Sequence, residues 1–484
     1  MMDWQTLLCP DRIRSYHAKG SSDLRSEYEK DYHRIIGSAS FRRLQDKTQV
    51  FPLDQSDFVR TRLTHSLEVS SFAKSLGQSV GRAILRDGRD PSFHLENQTD
   101  ICDILSCAGL LHDIGNPPFG HFGETSIRTF FQEALQRITY VPEWTEDGTP
   151  VPLESLLTEA QRADFLHFEG NAQALRVVTK LHYLVDEHGM NLTKALLATI
   201  IKYPVSSLEI NPVGPIRAHK MGYFQADREI FSDVETSCGL DGNRHPLTYL
   251  LEAADDIAYH TADIEDAYRK GFLTYHQLRD ELEARCGEGD EKKEDSESQS
   301  VYRQALEDLK HRYEKAVGKK ITRPDNYAIQ NWLIKVQTVL LGAAQQSFMD
   351  HYDAIMDGSF ETELLDATGA GKLNSVLGEL ANDYVFQSST IIHIEVAADS
   401  ILKGLLEKFT AAVLDYDTDR ELTPYNQRLM TLVSENYREI YQIYGRDKSP
   451  QEKLYLRLLL VTDYVCGMTD SYAQSLYWKL NGRI

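Results

Sequence analysis

His65, His112, Asp113 and Asp255 are the side chains of this sequence whose types, taken together, could do metal chemistry. Each is set in apolar surroundings: Arg-Leu-Thr-His65-Ser-Leu-Glu-Val, Leu-Leu-His112-Asp113-Ile-Gly, and Glu-Ala-Ala-Asp255-Asp-Ile-Ala-Tyr. Two imidazoles and two carboxylates suit a borderline-to-hard divalent ion, and an octahedral ion keeps positions open for water and a substrate oxygen. Taken singly, each His reads as a satisfied core histidine and each Asp as a helix cap; it is the set that points to a metal. On helical geometry alone Asp255 and Asp256 are equal candidates.

The segment His112-Asp-Ile-Gly-Asn-Pro-Pro-Phe-Gly-His-Phe-Gly-Glu124 couples the His-Asp pair to a rigid Gly/Pro loop. The loop delivers His121 and Glu124, three residues apart and so on one side of a helical turn. A histidine oriented by a carboxylate is the usual arrangement of a general acid/base.

Three amphipathic stretches must position these groups. Val69, Phe72, Leu76, Val80 and Ile84 recur at steps of three or four and predict a helix over 64–85. Ile101, Ile104, Leu105, Ala108 and Leu111 repeat the pattern until Gly115-Asn-Pro-Pro118 stops it. Leu247, Leu250, Leu251, Ala254, Ile257, Ala258, Thr261 and Ile264 define a third helix closed by Gly271. Packed as a bundle, the three would bring the four ligands together. No comparable run alternates with strand period, so the fold class is all-α. Residues 142–152, Pro-Glu-Trp-Thr-Glu-Asp-Gly-Thr-Pro-Val-Pro, read as a loop or small hairpin. The charged, Ser/Gly-rich stretch 286–300 reads as a linker. The expected organisation is a catalytic helical body over 1–285, that linker, and a C-terminal helical subdomain over 301–484 packed on the body.

Composition narrows the function. With 42% hydrophobic and 26% charged residues the chain is a folded globular protein. A net charge of −21 disfavours a nucleic-acid coat or an anionic membrane partner, so an anionic substrate needs a local basic cluster and a metal. No apolar run is long enough to span a bilayer, and Asp3 and Asp11 interrupt any secretory leader, which predicts a cytoplasmic location. Six cysteines without a C-x-x-C pair read as reduced thiols.

Several segments, spread over nearly the whole chain, resemble the bacterial deoxyguanosine triphosphate triphosphohydrolases of the HD superfamily. They are Phe41 to Pro52, Val59 to His65, the 112–124 loop, His167-Phe-Glu-Gly-Asn-Ala-Gln173, Pro246 to Tyr259, and Gly467-Met-Thr-Asp470. The resemblance implies an HD helical bundle whose metal ligands are His65, His112, Asp113 and Asp255, the first Asp of the Asp-Asp pair. It implies His121 and Glu124 as the catalytic pair, and Gln49 and Asp263 as holders of the sugar 3′-hydroxyl. Tyr259 would pack against C2′ and leave no space for a ribose hydroxyl. Asp255, Tyr259 and Asp263 are four apart on one helical stripe, which fits. Arg42, Asn171, Lys202 and Tyr203 would contact phosphate, and Glu395 and Arg428 the base edge. The implied activity is hydrolysis of deoxynucleoside triphosphates, dGTP favoured, to deoxynucleoside and triphosphate. One divalent ion per site is expected, Mn²⁺ or Mg²⁺ first, with Co²⁺, Fe²⁺ and Ni²⁺ as alternatives. The family forms homo-oligomers, commonly hexamers, and the resemblance implies a single-stranded DNA or nucleotide effector. The rival readings are a broader-specificity dNTP triphosphohydrolase; another HD phosphohydrolase, a 5′-nucleotidase or phosphodiesterase, which has no reason to carry the sugar set; and a non-catalytic nucleotide sensor, which has no reason to keep His121 and Glu124.

Overall fold

The computed structural model describes residues 1–14, 23–53, 59–144, 148–182, 186–287 and 296–483. Helices carry nearly all of the regular backbone. The strands among the described residues are Thr139–Tyr140 and Val151–Pro152, which pair antiparallel. The turn-rich 142–152 segment therefore closes a small hairpin, with 145–147 outside the described residues.

The three anticipated helices run slightly further than their apolar stripes, as Arg62–Asp87, Leu95–Leu111 and Pro246–Arg269. Local chemistry sets their ends. The Thr61 side chain accepts from the Thr64 amide, and Gly88 closes the first helix in the left-handed region. Pro246 opens the third, where its missing N–H has no intrahelical partner to lose. Arg62–Asp87 and Leu95–Leu111 pack along each other, and the approach is close because residue 109 is glycine. A Cβ there would lie 2.5 Å from the Ser70 Cα. Beside it the Ser70 hydroxyl donates to the Ser106 carbonyl at 2.8 Å. This contact sets how far His65 on one helix can stand from His112 at the end of the other.

After His112 the chain turns flat onto helix Gly170–Arg176. A Cβ on Gly115 would fall 2.1 Å from the Ala174 nitrogen and 2.2 Å from the Gly170 carbonyl oxygen. Phe119 then takes φ 63°, a left-handed value that costs a non-glycine residue roughly 1–2 kcal/mol. Its amide is held by Asp470 Oδ1 at 2.9 Å, and helix Gly120–Arg137 follows with His121 and Glu124 in its first turns.

Helix Pro324–Asp350 packs across both Arg62–Asp87 and Pro246–Arg269. Helix Pro450–Cys466 is buried from Leu454 to its end and packs against Ser389–Val413 and Glu435–Gly445. One apolar core joins Trp4 and Ile35 to Leu458 and Ala473. Residues 288–295, the centre of the expected linker, lie outside the described residues. Helices Tyr275–Gly287 and Ser296–Gly318 run into that stretch from either side and pack on each other. All six cysteines are free thiols. No helix among the described residues is long and apolar enough to cross a membrane.

Candidate active site

His65 comes from the first turn of Arg62–Asp87, His112 and Asp113 from the end of Leu95–Leu111, and Asp255 from the middle of Pro246–Arg269. His65 Nε2 stands 3.0 Å from Asp255 Oδ1, and His112 Nε2 stands 3.3 Å from the same oxygen. His65, His112 and Asp113 offer ligand atoms that all lie within 4.8 Å of one another. The two imidazoles meet edge to face, with centroids 5.2 Å apart. His112 Nδ1 faces the Gly109 carbonyl at 2.8 Å, so we place the proton on Nδ1 and the free lone pair on Nε2. That Nε2 is buried without a well-formed hydrogen bond. Imidazole nitrogens and carboxylate oxygens converging in this way are the donor set a divalent cation takes.

The two adjacent aspartates differ in surroundings. Burial works to raise Asp255, but His112 and the Lys202 ammonium, 3.3 Å from Oδ2, hold its carboxyl well below the usual range. Asp256 is pushed up to about 8 by burial and by the Asp255 and Glu252 carboxylates. Asp255 is thus the ionised one that meets the imidazoles. Asp113 is buried too, yet the Arg62 guanidinium, 2.6 Å from Oδ2, carries it well down. Asn116 Nδ2 donates to its other oxygen at 2.6 Å.

His121 and Glu124 form a pair of unequal exposure. The imidazole is 72% exposed and the carboxylate 1%, with His121 Nδ1 3.1 Å from Glu124 Oε2. The Gly170 amide donates to Glu124 Oε1 at 2.8 Å and Arg128 to Oε2 at 3.2 Å. Burial favours protonation of Glu124, but the His121 hydrogen bond and nearby charge from His121 and Lys220 keep its carboxyl below the ordinary value. A fixed, ionised carboxylate therefore orients a solvent-facing ring.

Tyr259 stands beside His65, ring centroids 6.4 Å apart, and lies nearly parallel to Phe386 at 6.5 Å. One turn on, the carboxyl oxygens of Asp263 are buried without a well-formed hydrogen bond, the Tyr259 hydroxyl being a donor beside them, and Gln49 Oε1 is buried without one too. Burial and the Asp266 charge push Asp263 well up. Tyr203 follows Lys202 and has the Arg244 guanidinium 5.5 Å from its ring centre. Asn171 donates to Glu169 at 2.9 Å, next to the Gly170 amide that holds Glu124. Three expected residues are not drawn in. Arg42 is exposed and donates to the Gly37 carbonyl at 2.8 Å. Glu395 is half-buried on Ser389–Val413, and Arg428 is exposed on Pro424–Leu432. Among the described residues no contact joins these three to the ligand cluster.

Four residues that support the site were not singled out from sequence. Arg62 braces Asp113, and its position three before His65 on one helix face was the available signal. Lys47, fully buried, donates to the carbonyls of Asn116 at 2.5 Å and Cys466 at 2.7 Å. Asp470 accepts from the amides of Thr48 and Phe119 at 2.9 Å each. Arg244 donates to the Lys202 carbonyl at 2.7 Å and grips Glu252 with both terminal nitrogens. Lys47 and Asp470 lie in stretches that carried the resemblance, but nothing local marked them as clamps.

An HD domain is matched over residues 62–145, which runs from Arg62 through the His121 and Glu124 pair. Over nearly full length the chain is similar to curated bacterial proteins. A deoxyguanosinetriphosphate triphosphohydrolase-like protein of Listeria monocytogenes is 46% identical, covering 99% of this chain and 100% of the relative. One of Synechocystis is 35% identical, covering 99% of each chain. A deoxyguanosinetriphosphate triphosphohydrolase of Yersinia enterocolitica is 31% identical, covering 96% of this chain and 95% of the relative. The chain belongs to the deoxyguanosinetriphosphate triphosphohydrolase family of HD-domain proteins.

Proposed function

We propose that this protein hydrolyses deoxynucleoside triphosphates, dGTP in preference, to deoxynucleoside and triphosphate. The observation that carries the reading is the stripe of Asp255, Tyr259 and Asp263 on one helix, with the Asp263 carboxyl oxygens, like Gln49 Oε1, buried without a well-formed hydrogen bond. Buried acceptors without donors are costly, and a sugar hydroxyl brings a donor. Tyr259, one turn from both Asp255 and Asp263, would pack against the 2′ carbon, where a ribose hydroxyl would collide with it. The curated relatives are named for dGTP.

His65, His112, Asp113 and Asp255 would hold one divalent ion, Mn²⁺ or Mg²⁺. Such an ion supplies Lewis acidity toward a phosphoryl oxygen. Lys202, beside Asp255, would balance phosphate charge, with Tyr203 and Asn171 as further phosphate contacts; Arg42 would join them only on leaving the Gly37 carbonyl. His121, its Nδ1 held by Glu124, presents Nε2 to carry a proton to the departing 5′-oxygen while water attacks the α-phosphorus and the P–O5′ bond breaks. Glu395 and Arg428 would read the base once motion or a second copy of the chain brings them to the site. The protein would act in the cytoplasm as a homo-oligomer.

Incubation of dGTP with Mn²⁺ followed by phosphorus NMR tests this. Inorganic triphosphate is the expected product, and chelation should stop its release. Pyrophosphate with a monophosphate, or hydrolysis of monophosphates instead, overturns the reading.

A further inference from the structure

The motif Gly467-Met-Thr-Asp470 carries part of the family resemblance, yet its aspartate has no place among the metal, proton or substrate residues. Asp470 is 1% exposed and is the first residue of helix Asp470–Leu480. A carboxylate in the first turn of a helix ordinarily serves its own helix, whose leading amides lack partners. Here Thr469 does that work, its side chain accepting from the Tyr472 amide. The Asp470 oxygens reach instead to two segments far away in sequence. Oδ2 accepts from the Thr48 amide and Oδ1 from the Phe119 amide, each at 2.9 Å.

Both amides adjoin residues with a proposed part in the reaction. Thr48 precedes Gln49 and bridges to Thr61, the cap of the helix that brings His65. Next to that bridge the Arg62 amide donates to the Lys47 carbonyl at 2.9 Å. Phe119 stands two residues before His121 at φ 63°. As the cap of helix Gly120–Arg137, Phe119 has an amide with no intrahelical partner, and Asp470 supplies one. Gly120 leaves the turn no slack, since a Cβ there would fall 2.4 Å from Arg62 Nη2. One planar group that accepts on both sides fixes the spacing of the two backbones it holds. A displacement of the Thr48 segment is therefore carried to the turn that aims His121, and the reverse.

We propose that Asp470 is a positioning residue that sets Gln49 toward the sugar and His121 toward the departing oxygen, so that deoxyribose recognition and proton delivery share one support. The proposal rests on the phosphohydrolase reading for the roles of Gln49 and His121. Double-mutant cycles in the full chain, with dGTP and Mn²⁺, show where the loss is felt. Asp470→Ala should lower kcat roughly tenfold or more and raise KM at least threefold, the scale of a misplaced catalytic group. In a His121→Ala background its effect on kcat should shrink below twofold, and in a Gln49→Ala background its effect on KM should do the same. If circular dichroism shows that Asp470→Ala has not folded, Asp470→Asn, which keeps the shape and loses one acceptor, takes its place and should show the shrinkage in one background. Losses that multiply unchanged through both backgrounds mark a merely structural contact and overturn the proposal, as do wild-type kinetics. Hydrogen exchange read by mass spectrometry needs no turnover. Peptides holding Thr48 and Phe119 should exchange faster in the Asp470 variant while the middle of helix Arg62–Asp87 keeps its rate, and unchanged exchange at either amide also overturns the proposal. Faster exchange in a chain whose wild type releases no triphosphate from dGTP would sink the functional reading and uphold Asp470 as the brace of both segments.

Discussion

His121 and Glu124 divide one task between an exposed ring and a buried carboxylate, and the division is testable residue by residue. His121→Ala should lower kcat at least 10²-fold with little change in fold stability, since the imidazole is mostly in solvent. Retention of full kcat removes His121 from proton transfer. Asp263 presents the opposite balance. Its carboxyl is buried against the Asp266 charge without a well-formed hydrogen bond, a kind of burial that costs roughly 1–3 kcal/mol. Asp263→Leu should therefore raise the melting temperature while raising KM for dGTP at least tenfold. A variant that melts lower and binds dGTP as before contradicts that role. The candidate site residues stood out in the sequence because His112, Asp113, His121 and Glu124 share one short segment dense in Gly and Pro, a composition that a plain apolar helix has no use for. The separation of Asp255 from Asp256 was not legible there, since periodicity cannot reveal that one faces two imidazoles and the other a group of carboxylates.

At the scale of elements, the helices were legible because their apolar stripes are long and end in Gly or Pro. Their mutual approach was not, because it depends on which small residue meets which backbone. Gly109 against Ser70 and Gly115 against Ala174 are contacts between segments that no local pattern pairs. Gly115 offers the sharper test. A methyl group there must push back helix Gly170–Arg176, and with it the Gly170 amide that holds Glu124. Gly115→Ala should cost a few kcal/mol of stability, in the range of overpacked cores, and lower kcat in the surviving folded fraction. Wild-type melting and turnover would show that the loop has slack that the close packing at Gly115 denies.

At the scale of the whole molecule, Lys47 ties distant parts of the chain together through two backbone carbonyls. Burial lowers its pKa from 10.5 to about 8. Below pH 8 the ammonium is charged in both folded and unfolded chains, so the full cost of burying it is present. Between about 8 and 10.5 the unfolded chain keeps the proton that the folded one has released. The unfolded state then binds more protons, and stability gains as pH rises through that window. Relative to Lys47→Met, the wild type should gain stability across it by no more than roughly 3 kcal/mol. Denaturant titrations at several pH values read the difference, and a loss in place of a gain refutes the assignment.

The partners of these clamps lie 419 residues downstream of Lys47 and 351 downstream of Phe119. While the chain is being translated, the His112 to Glu124 loop leaves the ribosome long before Cys466 and Asp470 exist to anchor it. The nascent polypeptide thus carries His112 and His121 on an unbraced loop through most of synthesis, and the bracing seen in the folded chain forms only when that late segment docks. Messages broken within the coding region would yield inert fragments, which spares the cell truncated products that consume its DNA precursors.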